Sequence, residues 1–316
     1  MVGTILMLQA TLLGILSAEC IFYAWLCFHL SARGVAPGTI AAIVIVIAAL
    51  WRLSHALGSF VLTSALRARD RRALPWGNSL AALRNELAAR FICFNWSQPF
   101  QSVALGADPL GGNSGMPVLL VHGYVCNRGL WVSFRRRLAE ANPGPIYTIS
   151  LVPLFGGIDA LVPSLDARIE EICAETGSPT LMIVAHSMGG LVTRAYMMHA
   201  AARAGESTHG SRVSKFVSLG TPHHGTQLAR FGFGLNTNQM RAGSDWLQTL
   251  ANLEATASVH HRMPPTLSIY TLNDDLVYPP ESSVLAWAEN VPVSAIGHMG
   301  LVFSEAVAKR VAQFLR

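Results

Sequence analysis

The sequence predicts an α/β fold, a mostly parallel sheet with helices on both faces, preceded by two transmembrane helices. From Met116 onward, short β-branched runs alternate with helical stretches, which is typical of a parallel sheet that is covered on both sides. Before Leu66 the only charged side chains are Glu19, Arg33 and Arg52. An apolar stretch of this length is typical of membrane-spanning helices.

Composition excludes several classes of protein. Charged residues make up 13% of the 316 residues, whereas a soluble domain has about 25%, and the mean hydropathy is +0.38. A hydrophobic content of 51% argues against disorder, and five cysteines are too few for a disulfide scaffold. A net charge of +5 is too small for a nucleic-acid binder, so no nucleic-acid partner is expected.

The apolar N-terminus divides into two runs, Ile5–Leu30 and Thr39–Leu66, separated by a turn rich in Gly and Pro. As a helix, the first run would be about 39 Å long, which is enough for a tilted membrane span. We therefore predict a transmembrane helical hairpin over residues 1–66, a basic juxtamembrane segment and linker over 67–115, and the α/β domain over 116–316.

Two other arrangements of the N-terminus stay open, namely one span with an interfacial helix, and a cleaved signal peptide. A signal peptide needs a basic start, and residues 1–4 carry no basic side chain. Four arginines lie between Arg67 and Arg72, against Arg33 alone between the two runs. The positive-inside rule then places the α/β domain in the cytoplasm, on an inner membrane of bacterial type.

Six runs of the C-terminal part are predicted to be strands and five stretches to be helices. The strands are Val118–Val121, Ile146–Leu151, Leu181–Val184, Val213–Leu219, Thr266–Leu272 and Val291–Ile296. The helices are Ser79–Phe94, Arg128–Asn142, Pro163–Thr176, Gly189–Ala204 and Val302–Leu315.

The third predicted strand runs directly into A-H-S-M-G-G, residues 185–190, and then into a helix. The small residues Ala185 and Gly189 allow the sharp turn of a nucleophile elbow, with Ser187 at its apex. An ordinary strand-to-helix turn, with Ser187 as the helix cap, is the alternative. His186 points away from its neighbour and is predicted to be structural.

An acyl-transfer serine needs backbone N–H groups that stabilise an oxyanion. Met188, directly after the nucleophile, is predicted to supply one of them. The first strand ends in His122-Gly123-Tyr124, and Gly123 lets the backbone turn so that Tyr124 supplies the second. His122 is predicted to brace this loop.

The acid and the base are expected downstream, in the order Ser, Asp or Glu, His. His298 is the histidine on a loop beyond the last predicted strand, in A-I-G-H-M-G. The preceding strand ends in N-D-D-L-V-Y-P-P, where both Asp274 and Asp275 qualify. We prefer Asp274 and keep Asp275 as the alternate. Ser187 would attack an acyl carbon, His298 would carry the proton, and the aspartate would orient the imidazole.

These motifs resemble the α/β-hydrolase superfamily, and within it bacterial triacylglycerol lipases and esterases, over roughly residues 116–316. The elbow A-H-S-M-G-G, the loop G-T-P-H-H-G-T at 220–226, D-D-L-V-Y-P, G-H-M-G-L and V-H-G-Y occur in the order of that family. The acid loop of the family is a further reason to favour Asp274. The N-terminal hairpin departs from the secreted lipases, which have none.

The resemblance and the hairpin together predict a membrane-anchored serine hydrolase that acts on carboxylic, and in particular lipid, esters. An acyltransferase or thioesterase would use the same triad, and a non-catalytic scaffold at the membrane is a different class of function. Residues 227–262 mix Phe, Leu, Met and Trp with glycines, and they are predicted to be either a lid or acyl-chain wall above the elbow, or a packed excursion. No cofactor or metal is expected, since the pairs His223-His224 and His260-His261 lack further ligands.

Overall fold

The computed structural model describes residues 2–112, 114–141, 144–204, 211–260 and 263–316. Its centre is one six-stranded sheet in which each neighbouring pair of strands is parallel, in the order β2-β1-β3-β4-β5-β6. The strands are β1 (Val118–Val121), β2 (Ile146–Ile149), β3 (Leu181–His186), β4 (Val213–Leu219), β5 (Thr266–Thr271) and β6 (Glu289–Val293). The predicted fold class is confirmed.

Alternate residues of each strand face opposite sides of the sheet, and both sides are covered by helices. On one side Leu119 and Val121 belong to a core that includes α6 (Ile158–Thr176) and α7 (Met188–Ala204). On the other side Val118 and Leu120 belong to a core that includes α5 (Val132–Ala141) and α10 (Glu305–Leu315). Burial on both faces explains why these strands are continuous apolar runs.

The chain begins with two long apolar helices. They are α1 (Val2–Ala32) and α2 (Pro37–Arg69), joined by a short turn, and by length and hydropathy both could cross a membrane. Arg52 of α2 donates to both carboxylate oxygens of Glu19 of α1, at 3.0 and 2.5 Å. This ion pair gives each charge a partner between two otherwise apolar helices.

The segment between the hairpin and the sheet is mostly helical. It contains α3 (Trp76–Ile92), a π-helical turn (Cys93–Ser97) and α4 (Gln101–Leu105). Ala89 and Cys93 belong to the same core as α5 and α10, so this segment packs against the sheet domain. Gln9 of α1 also donates to the carbonyl of Pro99, at 2.9 Å, so the hairpin contacts this segment.

Several element boundaries differ from the predicted ones. The helix expected from Pro163 begins at Ile158, so that Pro163 lies inside the helix rather than at its start. Strand β6 begins two residues earlier and ends at Val293; it is an edge strand, where Pro292 is tolerated. The predicted closing helix is divided into a 3-10 turn (Met299–Phe303) and α10. Asn142, the predicted end of α5, lies outside the described residues.

The insertion between β4 and β5 is made of short helices. These are a 3-10 turn (Gln227–Phe231), α8 (Leu235–Gln239) and α9 (Asp245–His260). Leu247 and Leu250 of α9 are buried in the core on the α7 side of the sheet. Phe231, Phe233 and Leu235 remain exposed. Part of the insertion is therefore packed, and the part before α9 presents an apolar surface.

Candidate active site

Ser187 occupies the turn between β3 and α7 and has a positive φ of 55°. A non-glycine residue in this region is strained, and such strain is typical of nucleophile elbows. The turn is tight, because a Cβ added to Gly189 would lie 2.5 Å from the carbonyl oxygen of His122. The structure thus places Ser187 at the carboxyl end of a central strand, directly before a helix N-terminus.

His298 lies on the loop after β6, and its Nδ1 is 2.9 Å from Oδ2 of Asp274. Burial would lower the pKa of His298, but the charge of Asp274 and its hydrogen bond outweigh this and raise that pKa. Asp274 follows β5, and its Oδ1 accepts from the backbone N–H groups of Leu276 and Val277 at 2.9 and 2.7 Å. These bonds fix the carboxylate in position toward the imidazole.

Asp275 has different partners, although it is the next residue. Its Oδ1 accepts from the backbone N–H of His298 at 3.3 Å, and its Oδ2 accepts from Arg90 at 2.5 Å and Ser59 at 2.6 Å. Its carboxylate therefore contacts the backbone of the His298 loop, and the ring of His298 contacts Asp274.

Arg90 also binds Glu86 of α3 at 2.8 Å, and Glu86 accepts from the backbone N–H of Gly300 at 3.0 Å. The side chains of Glu86 and Asp275 are completely buried. Burial, with the nearby charge of Asp275, raises the pKa of Glu86 to about 7. Through Glu86 and Arg90, helix α3 thus fixes the position of the loop that carries His298.

The loop after β1 lies against the elbow. A Cβ on Gly123 would be 2.8 Å from the Cβ of Ser187, so only glycine fits there. His122 braces the loop, with Nδ1 2.8 Å from the carbonyl of Gly123 and Nε2 accepting from the N–H of Leu151 at 2.9 Å. Tyr124 lines the cavity beside Ser187, and its hydroxyl bonds the backbone of Phe233.

Met188 is the first residue of α7, where a backbone N–H has no intrahelical acceptor. Its side chain is buried in the core beneath the elbow. The N-terminus of the helix carries a partial positive charge beside Ser187.

His186 is buried under the site. Its Nε2 lies 3.2 Å from the carbonyl of His298, and the two rings are 4.7 Å apart. Burial and the neighbouring His298 hold the pKa of His186 well below its usual range. This supports the interpretation of His186 as a structural residue that holds the backbone of the His298 loop.

Ser187, His298 and Tyr124 line one cavity of about 380 Å³. Its wall is mostly apolar and comes from the elbow, from the insertion and from the N-terminal hairpin. The hairpin contributes Gly58, Ser59 and Leu62, and the insertion contributes residues that include Leu228, Phe231 and Met240. Concave, mostly apolar cavities of this size are typical of sites that bind small molecules.

The contact of α2 with the loop of the two aspartates was not predicted from the sequence. Arg67 donates to the backbone carbonyls of Leu272 and Asp274, at 3.1 and 2.7 Å, and thereby holds the loop of the two aspartates. Two local features of the sequence could have indicated these contacts. One is the pair of small residues Gly58 and Ser59 inside an apolar helix, and the other is the pair Glu86 and Arg90, one turn apart on α3.

The two histidines of the pair His223-His224 have separate partners. His223 is buried, and its Nε2 lies 3.0 Å from Ser218 Oγ, whereas His224 Nε2 lies 2.9 Å from the carbonyl of Val284. Among the described residues no three His, Cys, Asp or Glu side chains form a metal-binding group. His261 and the side chain of His260 lie outside the described residues.

Residues 163–296 match the family model of the PGAP1-like alpha/beta domain. This stretch includes Ser187 and Asp274 and ends two residues before His298. No curated protein matches the chain significantly in sequence.

Solved structures of lipases are similar in fold. The mature form of the lipase BlEst2 from Bacillus licheniformis has a TM-score of 0.52 at 15% identity, over 66% of this chain and 94% of that one. Its propeptide form gives 0.51 at 16% identity, over 66% and 51%. Lipase B of Aspergillus fumigatus gives 0.49 at 18% identity, over 62% of this chain and 51% of that lipase, about half its length.

At these identities the similarity shows the fold alone. The chain has the α/β-hydrolase fold, with a six-stranded parallel sheet and two long apolar helices in front of it. This fold is shared with the lipase BlEst2.

Proposed function

We propose that the protein is a membrane-anchored serine hydrolase that cleaves carboxylic esters of lipids through Ser187, His298 and Asp274. The observation that carries the proposal is the arrangement of these three residues. A strained serine shares a cavity with a histidine, and the far ring nitrogen of that histidine is bound to a buried aspartate.

The hydrogen bond to Asp274 supports one tautomer of His298. If Nδ1 donates to the carboxylate, Nε2 carries no proton and is the basic nitrogen. In the proposed reaction Nε2 accepts the Ser187 hydroxyl proton as the serine oxygen attacks the ester carbonyl. The proton then passes to the leaving alcohol, and an acyl-serine remains. Water deacylates this intermediate through the same histidine, while Asp274 stabilises the imidazolium.

The oxyanion of each tetrahedral intermediate would be stabilised by the backbone N–H groups of Met188 and Tyr124. The position of Met188 at the start of α7 supports the first assignment, because the helix dipole adds to the effect. The approach of Gly123 to Ser187 supports the second, since it brings the next peptide unit to the nucleophile.

Both hairpin helices are proposed to span the membrane, with the hydrolase domain on the cytoplasmic side. Their length and hydropathy support spanning. The arginines between Arg67 and Arg72, directly after α2, support the cytoplasmic side.

The proposed function is tested with p-nitrophenyl esters of graded chain length and the full-length protein in detergent. Ser187→Ala should lower kcat/KM on the order of 10³-fold or more, because the triad acts as a unit. Ser64→Ala, at an exposed serine of α2, is the matched control and should retain wild-type activity. Wild-type activity in Ser187→Ala would refute the proposal.

A further inference from the structure

We propose that α2 forms one wall of the acyl-binding cavity, and that the substrate is a bilayer lipid whose acyl chain enters the cavity along this helix. The inference rests on the proposed function and names its substrate class. It makes the membrane hairpin a part of the substrate site in addition to an anchor.

Three residues of α2, Gly58, Ser59 and Leu62, line the cavity that contains Ser187 and His298. Residues 58 and 62 are four apart, so they lie one above the other on the same face of the helix. A Cβ added to Gly58 would meet no atom within 4 Å. The glycine therefore leaves open space in the wall.

The position of these residues along α2 supports entry from the bilayer. The hydrocarbon core, about 30 Å thick, takes up about 20 helical residues, whereas the 33 residues of α2 extend for about 50 Å. Counted from Pro37, the hydrocarbon part ends near Leu57. The cavity wall begins at Gly58, next to the end of the hydrocarbon part that this count gives.

Helix α1 also contacts the rest of the protein near the end of the hairpin that carries the cavity wall. Gln9 of α1 contacts Gln101 at 3.2 Å and the carbonyl of Pro99 at 2.9 Å, so this end of the hairpin touches the segment that packs against the sheet domain. On the proposed route, a lipid acyl chain that lies beside α2 would reach Ser187 without passing through bulk water.

The rim of the cavity has the character of a surface that faces lipid. Phe231, Phe233 and Leu235 are 60%, 79% and 64% exposed, and Phe231 lines the cavity itself. Tyr124 bonds the backbone of Phe233 and so joins this rim to the elbow. An exposed apolar patch beside a cavity that α2 also lines is stabilised when a membrane covers it.

The wall is also fixed to the site. Ser59 Oγ donates to Asp275 at 2.6 Å, and Asp275 in turn accepts from the backbone N–H of His298. The face of α2 that would contact the acyl chain is therefore held against the reacting residues.

The inference is tested by the chain-length preference of two substitutions in the full-length protein, Gly58→Phe and Ser64→Phe. The readout is the ratio of kcat/KM for the dodecanoyl and acetyl p-nitrophenyl esters. A phenyl group at Gly58 would fill the cavity, so this ratio should fall at least tenfold. Ser64 is exposed and does not line the cavity, and its variant should keep the wild-type ratio.

An equal ratio in the two phenylalanine variants would overturn the inference, even while Ser187→Ala remains inactive and the proposed function stands. If Gly58→Phe fails to fold, Leu62→Ala takes its place, with Leu57→Ala as control, since Leu57 is 38% exposed and lies outside the cavity. Leu62→Ala should change the ratio at least threefold. No change relative to Leu57→Ala would overturn the inference.

The route of entry is tested separately in phosphatidylcholine vesicles that contain a fluorogenic long-chain diacylglycerol analogue. Wild-type protein reconstituted in the same vesicles should hydrolyse the probe at least tenfold faster than protein in separate vesicles. Equal rates would mean that the substrate arrives through water, and entry along α2 would be wrong.

Discussion

Asp274 and Asp275 are adjacent in the chain but contact different parts of the His298 loop. The carboxylate of Asp274 binds the imidazole, and the carboxylate of Asp275 binds Arg90, Ser59 and the backbone N–H of His298. Sequence alone left the choice between them open, because both follow the same strand. The geometry favours Asp274 as the acid and gives Asp275 a positioning role.

The two aspartates can be separated by mutation. Asp274→Asn should lower kcat roughly 10³-fold or more, because an amide does not hold the imidazole in the required tautomer. Asp275→Asn keeps the contact between Asp274 and the imidazole intact, so the decrease in kcat should be at least tenfold smaller than in Asp274→Asn. Steady-state kinetics on a short ester compares the two variants. The reverse ranking would assign the acid to Asp275.

The pH dependence of kcat/KM reports the charge of His298. Burial would lower the pKa of His298, but Asp274, with smaller effects of Glu86 and Asp275, raises it above the ordinary value of about 6.5. Only the neutral imidazole accepts the serine proton, so activity should fall as the pH drops through this raised pKa.

In Asp274→Asn the charge that raises the pKa is lost, and the acidic limb of the residual activity should move to lower pH. The midpoint is read from a kcat/KM profile between pH 5 and pH 9. A wild-type midpoint below 6.5, unmoved by the substitution, would contradict this account.

At the scale of the elements, the sheet and the elbow follow from local patterns, and the packing of α2 and α3 does not. Ala185 and Gly189 around Ser187 predict a sharp turn because only small residues fit it. Arg90 and Asp275, in contrast, are 185 residues apart, and α3 has an ordinary helical pattern. Such contacts depend on how the helices pack in three dimensions, which spacing along the chain does not encode.

Arg67, on the last turns of α2, is the clearest contact between the hairpin and the acid loop. Its guanidinium donates to the carbonyls of Leu272 and Asp274, on either side of the turn. Arg67→Ala should leave these buried acceptors without their donor and lower kcat/KM about tenfold. Arg69→Ala is the matched control, because Arg69 is 62% exposed and its ion pair with Asp70 is worth little.

The comparison is made in detergent with a short ester, so that membrane access does not enter the result. Equal activities of Arg67→Ala and Arg69→Ala would show that α2 does not position the acid loop.

The whole molecule is proposed to be an integral membrane protein with its hydrolase domain in the cytoplasm. Carbonate washing should leave the full-length chain in the membrane pellet if the two apolar helices span the bilayer as proposed, since both are long and apolar enough to do so. Protease added to intact spheroplasts should spare the domain and should digest it after lysis. Release by carbonate would refute the anchor, and digestion in intact spheroplasts would invert the topology.

The central claim is that Ser187 is the nucleophile of an acyl-transfer reaction. The most direct measurement is mass spectrometry of peptides after membranes that contain the full-length protein react with a fluorophosphonate probe. The account predicts one adduct on the peptide that carries Ser187, its absence in Ser187→Ala, and strongly reduced labelling in His298→Ala. Labelling that persists in Ser187→Ala, or an adduct on another serine, would contradict it.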